Sequence, residues 1–194
     1  MYDYISGKLI FKCPTYVVID AGGIGYHIHI SLTTYTALAQ GGEFCKLFIW
    51  QHIKEDGHTL YGFSDEGERK LFLHLISVSG IGPNSGRVML SSITPTEIQA
   101  AIIKGDVPAI QRIKGIGPKS AQRMILELQD KLKKEGPDSL VTMPLHNTLK
   151  DEALSALVML GYMKNAAEKV LDQIIRQEKD LTAERLIKIA LNKL

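Results

Sequence analysis

Cysteine is scarce in this 194-residue chain: Cys13 and Cys45 are the only two, too few for a disulfide scaffold and at a spacing that fits no metal motif. Both read as free, buried thiols in a reducing compartment. Long apolar runs are also missing, and nothing approaches the roughly 18 consecutive apolar residues of a membrane span. The segment MYDYISGKLIFK carries acidic Asp3 where an export signal would carry basic residues. These absences predict a cytoplasmic protein with no membrane contact. Neither charge sign dominates, because the net charge is only +2. Apolar residues make up 45% of the chain, enough to bury a core, so disorder throughout is excluded.

Divided along the chain, the charge is less bland. Lys and Arg number 4 against 5 Asp and Glu over residues 1–63, 11 against 8 over 64–136 and 8 against 8 over 137–194. The positive excess sits in the middle, where Lys104, Arg112, Lys114, Lys119 and Arg123 face only Asp106. Such a cluster is able to contact phosphate, although most charge clusters are solvated faces.

The hydrophobic period changes twice. Residues 1–63 read as short strands: TYVVIDA, GYHIHI and FCKLFIW are β-branched or aromatic and bounded by glycine. In GYHIHI, Tyr26, Ile28 and Ile30 share one face, with His27 and His29 on the other. Five short strands with a helical patch near TTYTALA predict a small barrel of the OB type. Residues 64–135 read as four or five helices, with starts at Asp65/Glu68, at the capping box Thr94-Pro95-Thr96-Glu97 and at Asp106/Pro108. GPDSLVTMPLHNT, residues 136–148, reads as a flexible linker. Residues 149–194 then form a three-helix mini-domain with stripes Leu154/Leu157/Val158/Leu160, Val170/Leu171/Ile174/Ile175 and Leu186/Ile187/Ala190/Leu191. The expected class is α+β and multidomain.

An internal repeat carries the chemistry. Shifted by 35 residues, VSGIGPNSGRVML (78–90) lies over IKGIGPKSAQRMI (113–125). Gly80, Ile81, Gly82, Pro83 and Ser85 thereby match Gly115, Ile116, Gly117, Pro118 and Ser120. Each copy reads as helix, Gly-Ile-Gly hairpin, helix. The glycines permit a tight turn with positive φ and close approach of another molecule to the backbone. N–H groups of the hairpin and of the next helix's first turn are expected to cradle a phosphate at the positive end of the helix dipole. Lys119 and Arg123, four apart, flank the second loop, whereas uncharged Asn84 stands at the Lys119 position of the first. Two glycine motifs of other kinds are excluded. Pro118 precedes Lys119-Ser120 where a Walker A loop needs glycine, and Gly22-Gly23-Ile24-Gly25 runs into a strand where a dinucleotide fingerprint needs a helix.

The two copies resemble the helix-hairpin-helix motif, a sequence-independent binder of DNA backbone. The whole domain order resembles the RuvA family, supported by QHIKEDGHTLYGF (51–63), LFLHLISVSGIGP, IKGIGPKSAQRMILEL and ALVMLGY (156–162). That resemblance implies a non-catalytic subunit without metal or cofactor. It implies a fourfold-symmetric tetramer, alone or as two tetramers face to face, that opens a four-way (Holliday) DNA junction. It also implies a hexameric ATPase motor, RuvB, engaged by the third domain through residues such as Leu157, Leu160, Tyr162 and Leu191, and a junction endonuclease, RuvC. Taken alone, Glu55-Asp56 at a hairpin tip reads as a solvated turn. The resemblance makes it the family's acidic pin, whose copies converge at the junction centre and repel phosphates over about one Debye length, ~10 Å at 0.1 M salt.

The remaining candidates are blander. His27 and His29 have no third ligand at metal spacing and read as surface residues. Trp50 reads as packing more than as a base-stacking platform, and Tyr162 as a helix cap or a partner anchor. A DNA glycosylase would use an Asp about twenty residues beyond its hairpin, and Asp138 lies 21 after Gly117. Its Pro/Gly-rich surroundings offer no pocket to hold a catalytic carboxylate. A flap or junction nuclease needs several carboxylates around Mg²⁺, which Glu55-Asp56 does not supply. A generic duplex tether without junction preference remains a third alternative.

Overall fold

The computed structural model describes residues 2–39, 41–135, 149–177 and 181–194. The chain divides into two compact units, 1–143 and 144–194. The linker expected at 136–148, with Asp138, lies outside the described residues.

The first unit opens with five strands, β1 (Tyr4–Lys12), β2 (Tyr16–Ala21), β3 (Ile24–Ile30), β4 (Phe44–Lys54) and β5 (Gly57–Phe63), with helix α1 (Leu32–Ala37) between β3 and β4. They close into a barrel in the order β1-β2-β3-β5-β4, antiparallel except where β3 meets β5. Alternation decides the inside: Ile5, Leu9, Val17, Ile19, Ile28, Ile30, Leu47 and Ile49 are buried, and His27 faces outward. Two glycines let the wall close this tightly. A Cβ on Gly7 would lie 2.1 Å from the Asp20 carbonyl oxygen, and one on Gly62 would lie 2.6 Å from Ile28 Cγ2. This is the OB-like barrel that the strand spacing predicts. The cysteines differ from expectation: both are free but only half-buried, because Cys13 lies beyond the end of β1, and Cys45, on the same face of β4 as Leu47 and Ile49, packs against the barrel core near the strand's start.

Helices α2 (Glu66–Ser77), α3 (Pro83–Ser92), α4 (Pro95–Lys104), α5 (Val107–Gln111) and α6 (Pro118–Glu135) follow. Their starts are written locally. Asp65 Oδ1 accepts from the Glu68 N–H at 2.8 Å, Thr94 and Glu97 form a complete capping box, and Asp106 caps α5. The helices share a core with the barrel's outer wall. Phe72 of α2 packs against Phe63, Tyr61 and Trp50, ring centroids 4.8, 5.6 and 5.4 Å away. Trp50 is therefore packing between barrel and helices.

A second barrel-to-helix tie is polar. Glu68 is 1% exposed, and its carboxylate accepts hydrogen bonds from Ser31 Oγ and from Thr34 Oγ1, the latter at 2.6 Å. Burial pushes its carboxyl above the ordinary 4.5, while the Ser31 and Thr34 hydroxyls pull it back. A raised value means the folded state holds the proton where the unfolded state has lost it, so stability falls as pH rises from 4.5 through the raised value.

The second unit contains α7 (Leu149–Met159), α8 (Lys164–Gln177) and α9 (Ala183–Leu191) around Ala153, Leu157, Ala167, Leu171, Ile174, Leu186 and Ala190. Gly161, at φ 97°, ends α7 in a left-handed turn, with Tyr162 N–H donating to the Leu157 carbonyl at 3.1 Å and Gly161 N–H to Val158 at 3.0 Å. The stripe expected on α7 is corrected here. Ala153, Leu154 and Leu157 face the core, while Val158 and Leu160 are exposed, because Leu160 lies beyond the last helical turn.

Removing the buried carboxylate should cost more than a single surface hydrogen bond. We expect Glu68→Ala, which leaves the Ser31 and Thr34 hydroxyls without an acceptor, to lower unfolding free energy by about 1–3 kcal/mol. Glu68→Gln should abolish the part of the stability change that begins at pH 4.5. Denaturant melts at several pH values measure both effects.

Candidate nucleic-acid interface

The 35-residue repeat is a repeat of geometry. Gly80 and Gly115 have φ of 91° and 89°. The N–H of Ile81 donates to the Val78 carbonyl at 3.0 Å, and that of Ile116 to Ile113 at 3.1 Å. One step on, Gly86 N–H donates to the Gly82 carbonyl and Ala121 N–H to Gly117, both at 3.0 Å. Gly86 and Ala121 are buried at equivalent positions, where a Cβ on Gly86 would come within 3.1 Å of the Phe72 ring.

Two details of the expected cradle are corrected. Ile81 and Ile116 are 5% and 6% exposed; their side chains enter the helical core and their N–H groups are spent within the turn, so neither offers a donor. Positive φ belongs only to the first glycine of each Gly-Ile-Gly. Gly82 is extended, φ −88° and ψ 172°, and Gly117 is not among the positive-φ glycines. The second glycine's contribution is open space, since a Cβ there would meet nothing within 4 Å.

What each hairpin presents is the start of a helix. Because the first helical bond is donated by Gly86 or Ala121, the N–H groups of Asn84 and Ser85, and of Lys119 and Ser120, precede the ladder. Pro83 and Pro118 occupy the first helical position, where no N–H is missed. Every other helix with a described N-cap, α1, α2, α4, α5 and α9, has a side-chain oxygen accepting from its first turn, whereas Gly82 gives α3 none. An exposed helix start without its own acceptor attracts an anion. Lys119 and Arg123 are exposed on the first turns of α6, and among the described residues Arg123 has only a 3.9 Å pairing with Glu127.

The acidic pair sits at the tip of the β4–β5 hairpin. Pairing of β4 with β1 stops at Phe48, and pairing of β5 with β3 begins at Leu60. The rungs His52–Thr59, Ile53–His58 and Lys54–Gly57 therefore pair only with each other. This ribbon projects beyond the barrel wall, with Glu55 and Asp56 exposed at its turn.

The expected motor-contact residues divide. Leu157 is fully buried and builds its own unit's core, so it offers no surface. Leu160 is 60% exposed, Leu191 is at the edge of exposure and Tyr162 is half-buried against the core. Met159 and Met163, which sequence reasoning missed, are 86% and 77% exposed beside Leu160. The signal was available, since both flank the Gly161 turn outside any helical stripe.

His27 and His29 lie 5.1 Å apart on the barrel's outer face, where burial, then His27 and Arg87, holds His29 below its ordinary 6.5. Among the described residues, no cluster of three or more His, Cys, Asp or Glu is placed to hold a metal ion. No described helix is long and apolar enough to cross a membrane.

Comparison with known proteins follows the same division of the chain. The family model RuvA N terminal domain matches residues 1–62, SAM-like Helix-hairpin-helix tandem matches 72–130, and RuvA, C-terminal domain matches 148–194. Curated relatives include three proteins named Holliday junction branch migration complex subunit RuvA. That of Flavobacterium psychrophilum is 52% identical over 194 residues, covering 100% of both chains. That of Cytophaga hutchinsonii is 51% identical over 197 residues, 98% of each chain, and that of Christiangramia forsetii 48% over 194, 100% of each.

The two glycines of a hairpin should respond oppositely to serine. Gly80→Ser forces a side chain into left-handed backbone and should cost about 1–2 kcal/mol. Gly82→Ser places a good cap on an extended residue, so the melting temperature should hold or rise. Its hydroxyl then takes the N–H groups of α3, and duplex binding should weaken several-fold. Thermal melts paired with gel shifts check both substitutions.

Proposed function

The chain belongs to the RuvA family, and we propose that it binds four-way (Holliday) DNA junctions as a homotetramer, singly or as two tetramers face to face. In this reading it holds the junction open while a hexameric RuvB ATPase drives branch migration in recombination and repair, with the RuvC endonuclease acting on the same junction. The chain itself performs no catalysis, needs no cofactor and works in the cytoplasm. The observation that carries this proposal is the doubled Gly-Ile-Gly turn, with matching dihedrals and turn bonds in both copies.

The mechanism follows from what the hairpins offer. Gly82, Asn84, Ser85, Gly117, Lys119, Ser120 and Arg123 present N–H groups, hydroxyls and two cations to phosphate; Gly80, Ile81, Gly115 and Ile116 shape the loops from behind. In this reading these groups contact the phosphate backbone and not base edges. Binding is therefore driven by counterion release, falls steeply with salt and is nearly indifferent to arm sequence.

The projecting ribbon supplies discrimination. Four copies of Glu55 and Asp56, brought to the centre of a tetramer, repel backbone phosphates and favour DNA whose strands separate there. A continuous duplex across the centre is disfavoured by the same charges. The C-terminal unit supplies the motor contact through exposed Met159, Leu160, Met163 and Leu191 together with half-buried Tyr162. Tethering near the junction raises its effective concentration for the motor.

Gel shifts of a four-way junction against linear duplex of equal length test the reading directly. Replacing Glu55 with Gln and Asp56 with Asn should tighten binding to both DNAs and lower the junction-to-duplex ratio; an unchanged ratio would reduce the pair to a solvated turn.

Cutting the chain after residue 135 should leave junction binding intact and abolish stimulation of motor-driven junction dissociation. Undiminished stimulation would remove the motor role from the C-terminal unit. Loss of junction binding together with tetramer dissociation, seen by ultracentrifugation, would give that unit a purely stabilising role.

A further inference from the structure

The two hairpins share a backbone and differ in what surrounds it. At three positions related by the repeat the side chains are Asn84 and Lys119, Arg87 and Gln122, Val88 and Arg123. The second copy thus has two exposed cations on the first turns of its helix, where the first has an amide and a valine.

Arg87 does not restore charge to the first loop. It is half-buried, and its Nη1 donates to the carbonyls of Thr15 at 3.2 Å and Ile30 at 3.3 Å, both on the barrel. Helix α3 has two more bonds in the same direction: Thr33 Oγ1 donates to the Leu90 carbonyl at 2.7 Å, and Leu32 N–H donates to Ser91 Oγ at 3.0 Å. Among the described residues no hydrogen bond joins α6 to the barrel; its long-range bond runs from Gln129 Nε2 to the Ile103 carbonyl of α4, at 2.9 Å.

Resting on the functional reading above, we propose that the hairpins divide the work on one DNA arm. The first is an uncharged spacer, fixed to the barrel through Arg87, that sets where the duplex lies relative to the acidic ribbon. The second is the electrostatic grip. The physical basis is that affinity and its salt dependence follow the number of cations neutralising phosphate, whereas junction preference depends on the distance between the duplex path and the Glu55-Asp56 tip. Arg87 is accordingly a positioning residue: it acts on DNA through α3, with its own charge committed to two carbonyls. The first loop holds phosphate through neutral N–H groups alone, less firmly than the second with its two cations, so DNA is able to advance past it.

The experiment compares full-length variants on a four-way junction and on a linear duplex across a salt series. Lys119→Gln with Arg123→Gln should reduce the slope of log affinity against log salt by roughly 0.9 for each phosphate left without its cation. Both DNAs should weaken in proportion, keeping their ratio. Arg87→Leu should leave the slope unchanged and lower the junction-to-duplex ratio several-fold, with Arg87→Lys, still able to donate to the two carbonyls, restoring it. Asn84→Lys with Val88→Arg, both exposed and neither holding the fold, should steepen the slope. A slope unmoved by the Lys119/Arg123 pair or by the added cations would overturn the division, as would Arg87→Leu reducing the slope while sparing the ratio. The unaltered chain separates this from the parent reading: failure to prefer a junction refutes the function, whereas junction preference with equivalent hairpins refutes only the division.

Discussion

Each Gly-Ile-Gly turn is held in shape by its central isoleucine, whose side chain is driven into the core shared by α2 to α6. Ile81 and Ile116 are almost fully buried between glycines that are exposed. Burying such a side chain contributes about 1.5–3 kcal/mol, enough to pin a short loop that has no other apolar side chain of its own. With the isoleucine fixed, Gly80 and Gly115 must take left-handed backbone, the isoleucine N–H closes onto the carbonyl three residues back, and the next helix begins at the surface. The glycines permit this arrangement and the isoleucine imposes it.

The same core extends into the barrel. From the acidic tip the chain runs down β5 through Tyr61 and Phe63, both packed on Phe72 of α2, and α2 leads directly into the first hairpin. Glu68, bonded to Ser31 and Thr34, holds the start of α2 to the corner where β3 gives way to α1. The Glu55-Asp56 tip and the first hairpin are thus joined by a short, packed path, which is what the fixed distance proposed between them requires. Changes anywhere along that path, at Gly62 or Phe72 as much as at the loops, would alter the spacing on which the proposed discrimination rests.

Much of this was legible in the sequence because local rules govern it. The alternation in GYHIHI, the capping box at Thr94-Glu97 and the 35-residue repeat each concern neighbours along the chain, and the barrel, the helix starts and both hairpins follow from them. What was hidden depends on tertiary contact. Nothing local says that Ile81 turns inward and spends its N–H, since an isoleucine between glycines is as easily read as part of an exposed loop. Leu157 is equivalent to Leu160 on a helical stripe until the Gly161 turn ends α7, after which one is core and the other surface. Arg87 counts as one more cation in the basic middle segment; only the carbonyls of Thr15 and Ile30 show that it ties α3 to the barrel.

The central claim is that phosphate is held by N–H groups at the two helix starts, over loops whose own isoleucine N–H groups are already used. Amide chemical shifts of the ¹⁵N-labelled chain, followed while a short duplex is titrated in, test it most directly. The account predicts shifts concentrated at Gly82, Asn84, Ser85, Gly117, Lys119 and Ser120, with Ile81 and Ile116 moving little because their hydrogens stay on the Val78 and Ile113 carbonyls. Shifts concentrated on the barrel strands, with both hairpins silent, would contradict it.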